Sequence, residues 1–292
     1  MDLYLPRRFA ERQPTGVCGL RRNNPIAAGL VGLINGRRGI GTPRDLVVGG
    51  IVPNATGMAV SGDSVGYGQR VHGYNGALCT NRIGTIGQFA HWLPASVASG
   101  FSLFACFDML DFAAGTSAQI IGDAAGKWGF FNSSGGTGAW SAYIATAATN
   151  VVYSTAPHIL RKGVRTVMGM TLSATTFSVY VNGVLAGSAA AVGGTSITYD
   201  PTYARVQFAG GLDQYGAANC FLWAGLWNRA LLKEEARSLY EEKFQLLEPR
   251  PDRLWFPVTA PGAGYTGPTL FNPSYVITGA DAVRPRVSLN WP

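Results

Sequence analysis

The sequence predicts an all-β chain: a two-sheet antiparallel jelly-roll sandwich with one C-terminal amphipathic helix and extended terminal arms. Three observations carry that expectation. Phe177–Ser188 reads as two short apolar, β-branched runs flanking Asn182-Gly183, the pair that best tolerates the positive φ angles of a two-residue type I′ turn. Further strand-like runs recur every 8–12 residues or so, with turn residues between them, as sandwiches and barrels require. A single segment has a helical period.

Counting outward from the turn places Val181 opposite Val184, Val179 opposite Ala186 and Phe177 opposite Ser188 on one face, with Tyr180 and Leu185 on the other. Apolar groups on both faces predict a hairpin inside a sheet rather than at its edge. The preceding run, Thr166–Leu172, is expected to pair alongside it. Before these come an apolar strand candidate at Pro25–Ile34, turn signals over Gly36–Asp45, and a buried strand at Phe101–Asp108. Further candidates are Gln119–Ile121, Trp128–Phe131, Trp140–Ile144, Val151–Ser154, Ala204–Phe208 and Cys220–Leu226.

The helical period lies in Leu232, Ala236, Leu239, Tyr240, Phe244 and Leu247, with Glu and Lys on the opposite face. The helix is expected to end before Glu248-Pro249, because a residue preceding proline disfavours the α region. The sandwich is therefore assigned to residues 25–248, flanked by an extended arm over 1–24 and a proline-rich arm over 249–292. The last 44 residues hold eight of the sixteen prolines, too many for a sheet interior, yet also Trp255, Phe256, Tyr265, Phe271, Tyr275 and Trp291. Val283–Trp291 alternates, with Val283, Val287, Leu289 and Trp291 on one face and Arg284, Arg286, Ser288 and Asn290 on the other. That pattern predicts a strand that adds to an exposed sheet edge, in the same chain or in a neighbour.

Charged residues are 13% of the 292, about half the usual ~25%, while 39 residues are Gly. Such a composition fits tightly turned β structure, or a surface that is mostly covered by neighbours. The net charge of +7 is uneven: residues 1–50 carry +5, largely as Arg7-Arg8, Arg21-Arg22 and Arg37-Arg38. No nucleic-acid motif accompanies these pairs, so the reading is a solvated or partner-bound arm rather than a nucleic-acid contact. The four cysteines have no C-x-x-C spacing, which excludes a standard zinc site. Without an apolar segment after Met1 to direct export, reduced thiols are the expectation. The most apolar stretch, Phe101–Phe107, is too short to span a bilayer.

With these elements placed, the chain resembles the concanavalin A-like lectin and glucanase superfamily, and within it the laminin-G-like jelly rolls of tailed-bacteriophage virion proteins. The likeness rests on Gly29–Ile34 followed by Arg44-Asp45-Leu46, on Ser178–Ser188 with its Tyr-x-Asn-Gly turn, and on Leu222–Ala236, where Asn228-Arg229-Ala230-Leu231 precedes an acidic helix. Glycosidases of the superfamily use paired carboxylates in a Glu-x-Asp-x-x-Glu pattern, one as nucleophile and one as general acid. No glutamate occurs here between Glu11 and Glu234. Asp108 and Asp111, three apart on one strand, face opposite sides and cannot both reach one bond. His72, His91 and His158 are isolated, no Gly-x-Ser-x-Gly elbow occurs, and Gly262–Gly267 matches a dinucleotide fingerprint only by letters, inside the proline-rich arm.

The resemblance implies a non-enzymatic virion structural protein without cofactor or metal, made in the host cytoplasm. As a capsid decoration or minor head protein, it would bind other virion proteins and form homo-oligomers through its sandwich and terminal arms, with Val283, Val287, Leu289, Trp291, Arg7 and Arg8 as subunit contacts. The alternative is a glycan- or receptor-binding module of a tail fibre or tail tip. Its sugar-binding loops would be Gly210–Asn219, Gly62-Asp63 and Trp128–Trp140, while calcium would need clustered oxygens around Asp63, Asp213 or Asn219.

Overall fold

In a computed structural model, the strand Phe101–Asp111 buries both of its faces over Phe101–Phe107, and the sandwich is layered around it. The structure describes residues 18–35, 44–49, 59–62, 69–72, 90–111, 118–123, 127–132, 139–146, 150–154, 159–161, 163–190, 194–199, 206–208, 218–249, 256–258 and 269–271. Arg7, Arg8, Val283, Val287, Leu289 and Trp291 lie outside these residues.

The first strands are β1 Cys18–Leu20, β2 Leu30–Asn35, β3 Arg44–Asp45, β4 Ala59–Gly62, β5 Gln69–His72 and β6 Phe101–Asp111. There follow β7 Ala118–Asp123, β8 Trp128–Asn132, β9 Trp140–Ala145, β10 Asn150–Ser154, β11 Arg165–Leu172 and β12 Thr176–Val181. The last are β13 Val184–Ala190, β14 Val206–Phe208, β15 Ala218–Trp227, β16 Leu247–Pro249, β17 Phe256–Val258 and β18 Thr269–Phe271. Nine strands form one antiparallel sheet in the order β13-β12-β11-β6-β15-β2-β3, with β5 also on β15 and β4 on β5. Five form the other, in the order β10-β9-β8-β7-β14, and β1 with β16 and β17 with β18 make two short ladders. The chain divides into two compact units, residues 1–14 with 20–248, and residues 15–19 with 249–292. The second unit contains the β17–β18 ladder.

Side-chain alternation builds the layers. Phe101, Leu103, Ala105 and Phe107 of β6 pack into one core with Met168, Met170 and Leu172 of β11 and with Trp128, Phe130, Trp140 and Ile144 of the five-stranded sheet. Phe104 and Cys106 point the other way, into a second core with Leu20, Ile26, Ala236, Leu239, Phe244 and Leu247. A strand apolar on both faces reads as a near-continuous hydrophobic run, which is why β6 alternates poorly in sequence. On β15, consecutive Leu222 and Trp223 share the second core because the register with β6 shifts between Phe221 and Trp223.

The hairpin forms where expected and beside the expected strand: Asn182 (φ 50°) and Gly183 (φ 75°) make the turn, and β12 pairs with β11. Two details differ from the sequence expectation. Val181 and Tyr180 face Val184 and Leu185, but Val179 then faces Gly187, Ser178 faces Ser188 and Phe177 faces Ala189. One extra residue is accommodated at Ala186, a β-bulge. Its cause is Tyr153 of β10, whose hydroxyl donates to the Ala186 carbonyl at 2.6 Å while a Cβ on Gly187 would lie 2.1 Å from its ring. The second difference is position: β13 is the terminal strand of its sheet, so the hairpin sits at an edge. Apolar residues on both faces reflect the two cores flanking β12, not an inner place for β13.

At the turn, Gly183 lies close to the helix, 3.0 Å from the Arg237 Cα as measured from an added Cβ. Gly183→Ala is expected to lose about 1–2 kcal/mol of stability, the cost of a side chain in the left-handed region. A urea midpoint shifted down at unchanged m-value would show it.

The helix spans Lys233–Glu241, ending sooner than the period suggested; residues 242–246 turn, and Leu247 begins β16. Ala236, Leu239, Phe244 and Leu247 are buried, but Leu232 is 64% exposed, since it precedes the first helical turn. Residues 20–24 are tied to the main unit: Arg21 N–H donates to the Leu246 carbonyl, and the Asn24 amide donates to the Gln245 side chain at 3.1 Å.

Candidate binding site

Asp45, Asp108 and Asp123 of the sandwich turn their oxygens onto donors of the fold itself. Asp45 is almost fully buried. Its Oδ1 accepts the N–H groups of Leu33 at 3.3 Å, Val47 at 2.8 Å and Val48 at 3.4 Å. Its Oδ2 accepts Trp92 Nε1–H at 2.7 Å and lies 2.7 Å from His91 Nε2. Burial alone would raise this carboxyl; the hydrogen bonds from His91, Trp92, Val47 and Leu33 outweigh it and hold it below the usual carboxylate range. The arrangement clamps β2, β3 and the turn at 90–92 together. It has a histidine and a carboxylate but no nucleophile among their described partners.

A second node forms where Asn228-Arg229-Ala230-Leu231 leads from β15 into the helix. Arg229 forks onto Glu235 at 2.7 and 2.6 Å and donates from Nε to the Ala28 carbonyl at 2.7 Å. Glu235 also accepts the Leu232 N–H at 2.8 Å, closing the first helical turn. Ser102 of β6 donates to the Arg229 carbonyl and accepts the Leu231 N–H. Burial would raise the Glu235 carboxyl, but the Arg229 guanidinium and the Leu232 N–H bring it below its ordinary value. The motif is thus a splice between strand, helix and the turn at Ala28-Gly29, not a catalytic element.

Asp123 accepts the Lys127 and Trp128 N–H groups at 2.6 and 2.7 Å, closing the β7–β8 connection. Asp108 is taken by Arg165, Nε to Oδ1 and Nη2 to Oδ2, both at 3.0 Å. This pair sits near one end of the large sheet. There the register aligns Arg165 with Asp108, Asp108 with Cys220, Asp111 with Ala218 and Asn219 with Val71. The Asn182 turn closes onto the same end, its Oδ1 accepting the Val167 N–H at 3.0 Å. Strand termini therefore converge here, among them the ends of β5, β6 and β12 and the starts of β11 and β15. Such a rim, held by a fork and a tight turn, can present connecting loops to a ligand on a rigid base.

The sequence-derived sugar-binding segments do not all meet there. Gly210–Asn219 leads into β15 at this rim. Gly62 pairs with Gln69, which pairs with Phe221, at the opposite end of the short β4–β5 hairpin. Trp128 and Trp140 are fully buried between the sheets, so neither ring is open to a sugar. Asp63 and Asp213 lie outside the described residues, which contain no group of three or more His, Cys, Asp or Glu able to hold a metal. No described helix is long and apolar enough to cross a membrane.

No protein-family model matches the chain, and no curated protein matches its sequence. Solved structures do match. The binding domain of Paraclostridial Mosquitocidal Protein 1 superposes with a TM-score of 0.58 at 11% identity, covering 75% of this chain and 53% of that one. The likeness is one of fold. A structure of botulinum neurotoxin type C, a toxin that depends on two ganglioside molecules to enter cells, gives 0.53 at 12% identity over 74% of this chain and 51% of its own. A Trypanosoma rangeli sialidase gives 0.50 at 15% identity, covering 82% and 37%. The chain thus spans about half the length of the matched toxin structures and less of the sialidase. These structures bear out the β-sandwich expected from the sequence.

Proposed function

We propose that this chain is a non-catalytic binding module that engages a glycan-bearing receptor through the loops rising from the Asp108–Ala218 rim. What carries the reading is the engagement of the acidic groups. Among the described side chains of the sandwich, Asp45, Asp108 and Asp123 each accept donors of the fold itself. Hydrolysis of a glycosidic bond needs two carboxyl groups flanking it. Support also comes from the fold shared with a toxin's binding domain and with a ganglioside-dependent neurotoxin, although fold alone does not transfer a ligand.

The test is a glycan array that includes ganglioside headgroups, probed with the full chain and followed by a hydrolysis assay on the best-bound glycans. Saturable binding without cleavage is expected. Cleavage, or no binding to any glycan class, counts against the reading. Attachment to a virion as a decoration protein is a second proposal, motivated by the phage-type likeness of Leu222–Ala236 and by the alternating Val283–Trp291 segment. Occupancy on purified particles, high on heads or confined to tail tips, separates it from an adhesive role.

A further inference from the structure

The terminal strand of the large sheet, β13, lacks the features that keep sheet edges from pairing. Natural edges carry lysine, other charges or proline. Val184-Leu-Ala-Gly-Ser-Ala-Ala190 has none of these. Its one guard is the bulge at Ala186, where Tyr153 takes the carbonyl. On either side of it the edge is open among the described residues. Antiparallel pairs alternate between hydrogen-bonded and non-bonded, and a two-residue turn is closed by a bonded pair, here Val181–Val184. Leu185 therefore directs its N–H and C=O away from β12. In the single chain Val184 is 68% and Leu185 51% exposed.

We propose that this edge receives Val283–Trp291 from a second copy of the chain as an added strand. Nine alternating residues suit a seven-residue edge. Val283, Val287, Leu289 and Trp291 would extend the inner core beside Ala186 and Ala189, which already pack against it. Arg284 and Arg286 would then face the helix side, where Leu185 lies opposite Tyr180 and the exposed Glu234 carboxylate bears on the Tyr180 hydroxyl. Pro285 is tolerable in an added strand, which has a free outer side. Val184 and Leu185 are exposed, and the strand is assigned to a second copy as its source. This inference does not depend on the glycan reading.

The test uses the full chain and light scattering. The wild type is expected at a multiple of the single-chain mass. Leu185→Lys with Ser188→Lys, both exposed positions, is expected at the single-chain mass with an unchanged far-ultraviolet circular dichroism spectrum. Excess peptide of residues 279–292 should dissociate the wild type, and the same peptide carrying Val287→Asp and Leu289→Asp should not. A wild type at single-chain mass, or a lysine variant that keeps the wild-type mass, overturns the proposal.

Discussion

Asp45→Ala is expected to be among the most destabilising single substitutions in the chain. It strips the acceptor from Trp92 Nε1–H, from His91 and from the Leu33, Val47 and Val48 N–H groups, inside a site with almost no solvent access. A buried donor left without a partner costs about 1–3 kcal/mol, so a loss of about 3–5 kcal/mol is expected after partial relaxation. For a chain this size, that is a fall in melting temperature on the order of 10 °C. The pH dependence has a definite sign. The folded-state pKa lies below the ordinary 3.8. The carboxylate's contribution is therefore complete above that value and disappears as pH falls through the lower, folded-state value. Wild type should lose this increment of stability on acidification, and Asp45→Ala should not. Thermal unfolding of both proteins across that acid window measures it.

Gly169→Val is expected to be comparably damaging, through sterics. A Cβ at Gly169 would lie 2.0 Å from the Phe104 ring. That ring cannot simply turn away. It stands edge-on to Trp227 at 6.0 Å and beside Tyr180 at 6.1 Å, and Trp227 is fixed by its Nε1–H to the Ile26 carbonyl at 2.7 Å. Overpacking a core costs about 1–3 kcal/mol, and here the upper end applies because the neighbours are themselves held. Urea unfolding should show the loss. Adding Phe104→Leu to a Gly169→Ala variant should restore part of it, since the smaller side chain vacates the contact.

Much of the sandwich is legible in the residues. Asn182-Gly183 specifies its turn by local conformational preference, and the helical period of Ala236, Leu239 and Phe244 marks the face that packs on the large sheet. The register beyond Tyr180 was not legible, because the bulge at Ala186 answers to Tyr153, distant in sequence and in the opposite sheet. The edge position of β13 was hidden for a related reason. Its own apolar residues look like core, and only the strand order shows that nothing pairs beyond them among the described residues. The helix ends before the apolar period does, because Phe244 and Leu247 continue the period while the backbone has already turned at Glu242. Of the candidate site, the absence of glutamate between Glu11 and Glu234 can be read directly, whereas the clamp at Asp45 cannot. A single aspartate in a chain this poor in charge was the available signal, but its partners come from β2 and from residues 91 and 92.

The central claim is that the Asp108–Ala218 rim binds a glycan and that the sandwich does not cleave it. Backbone amide NMR of the full chain, titrated with the best-bound glycan from the array, tests it most directly. Shifts concentrated at Arg165, Val167, Asn182 and Asn219, with the glycan recovered intact, are the expected result. Shifts centred elsewhere in the sandwich, or a cleaved glycan, would contradict it.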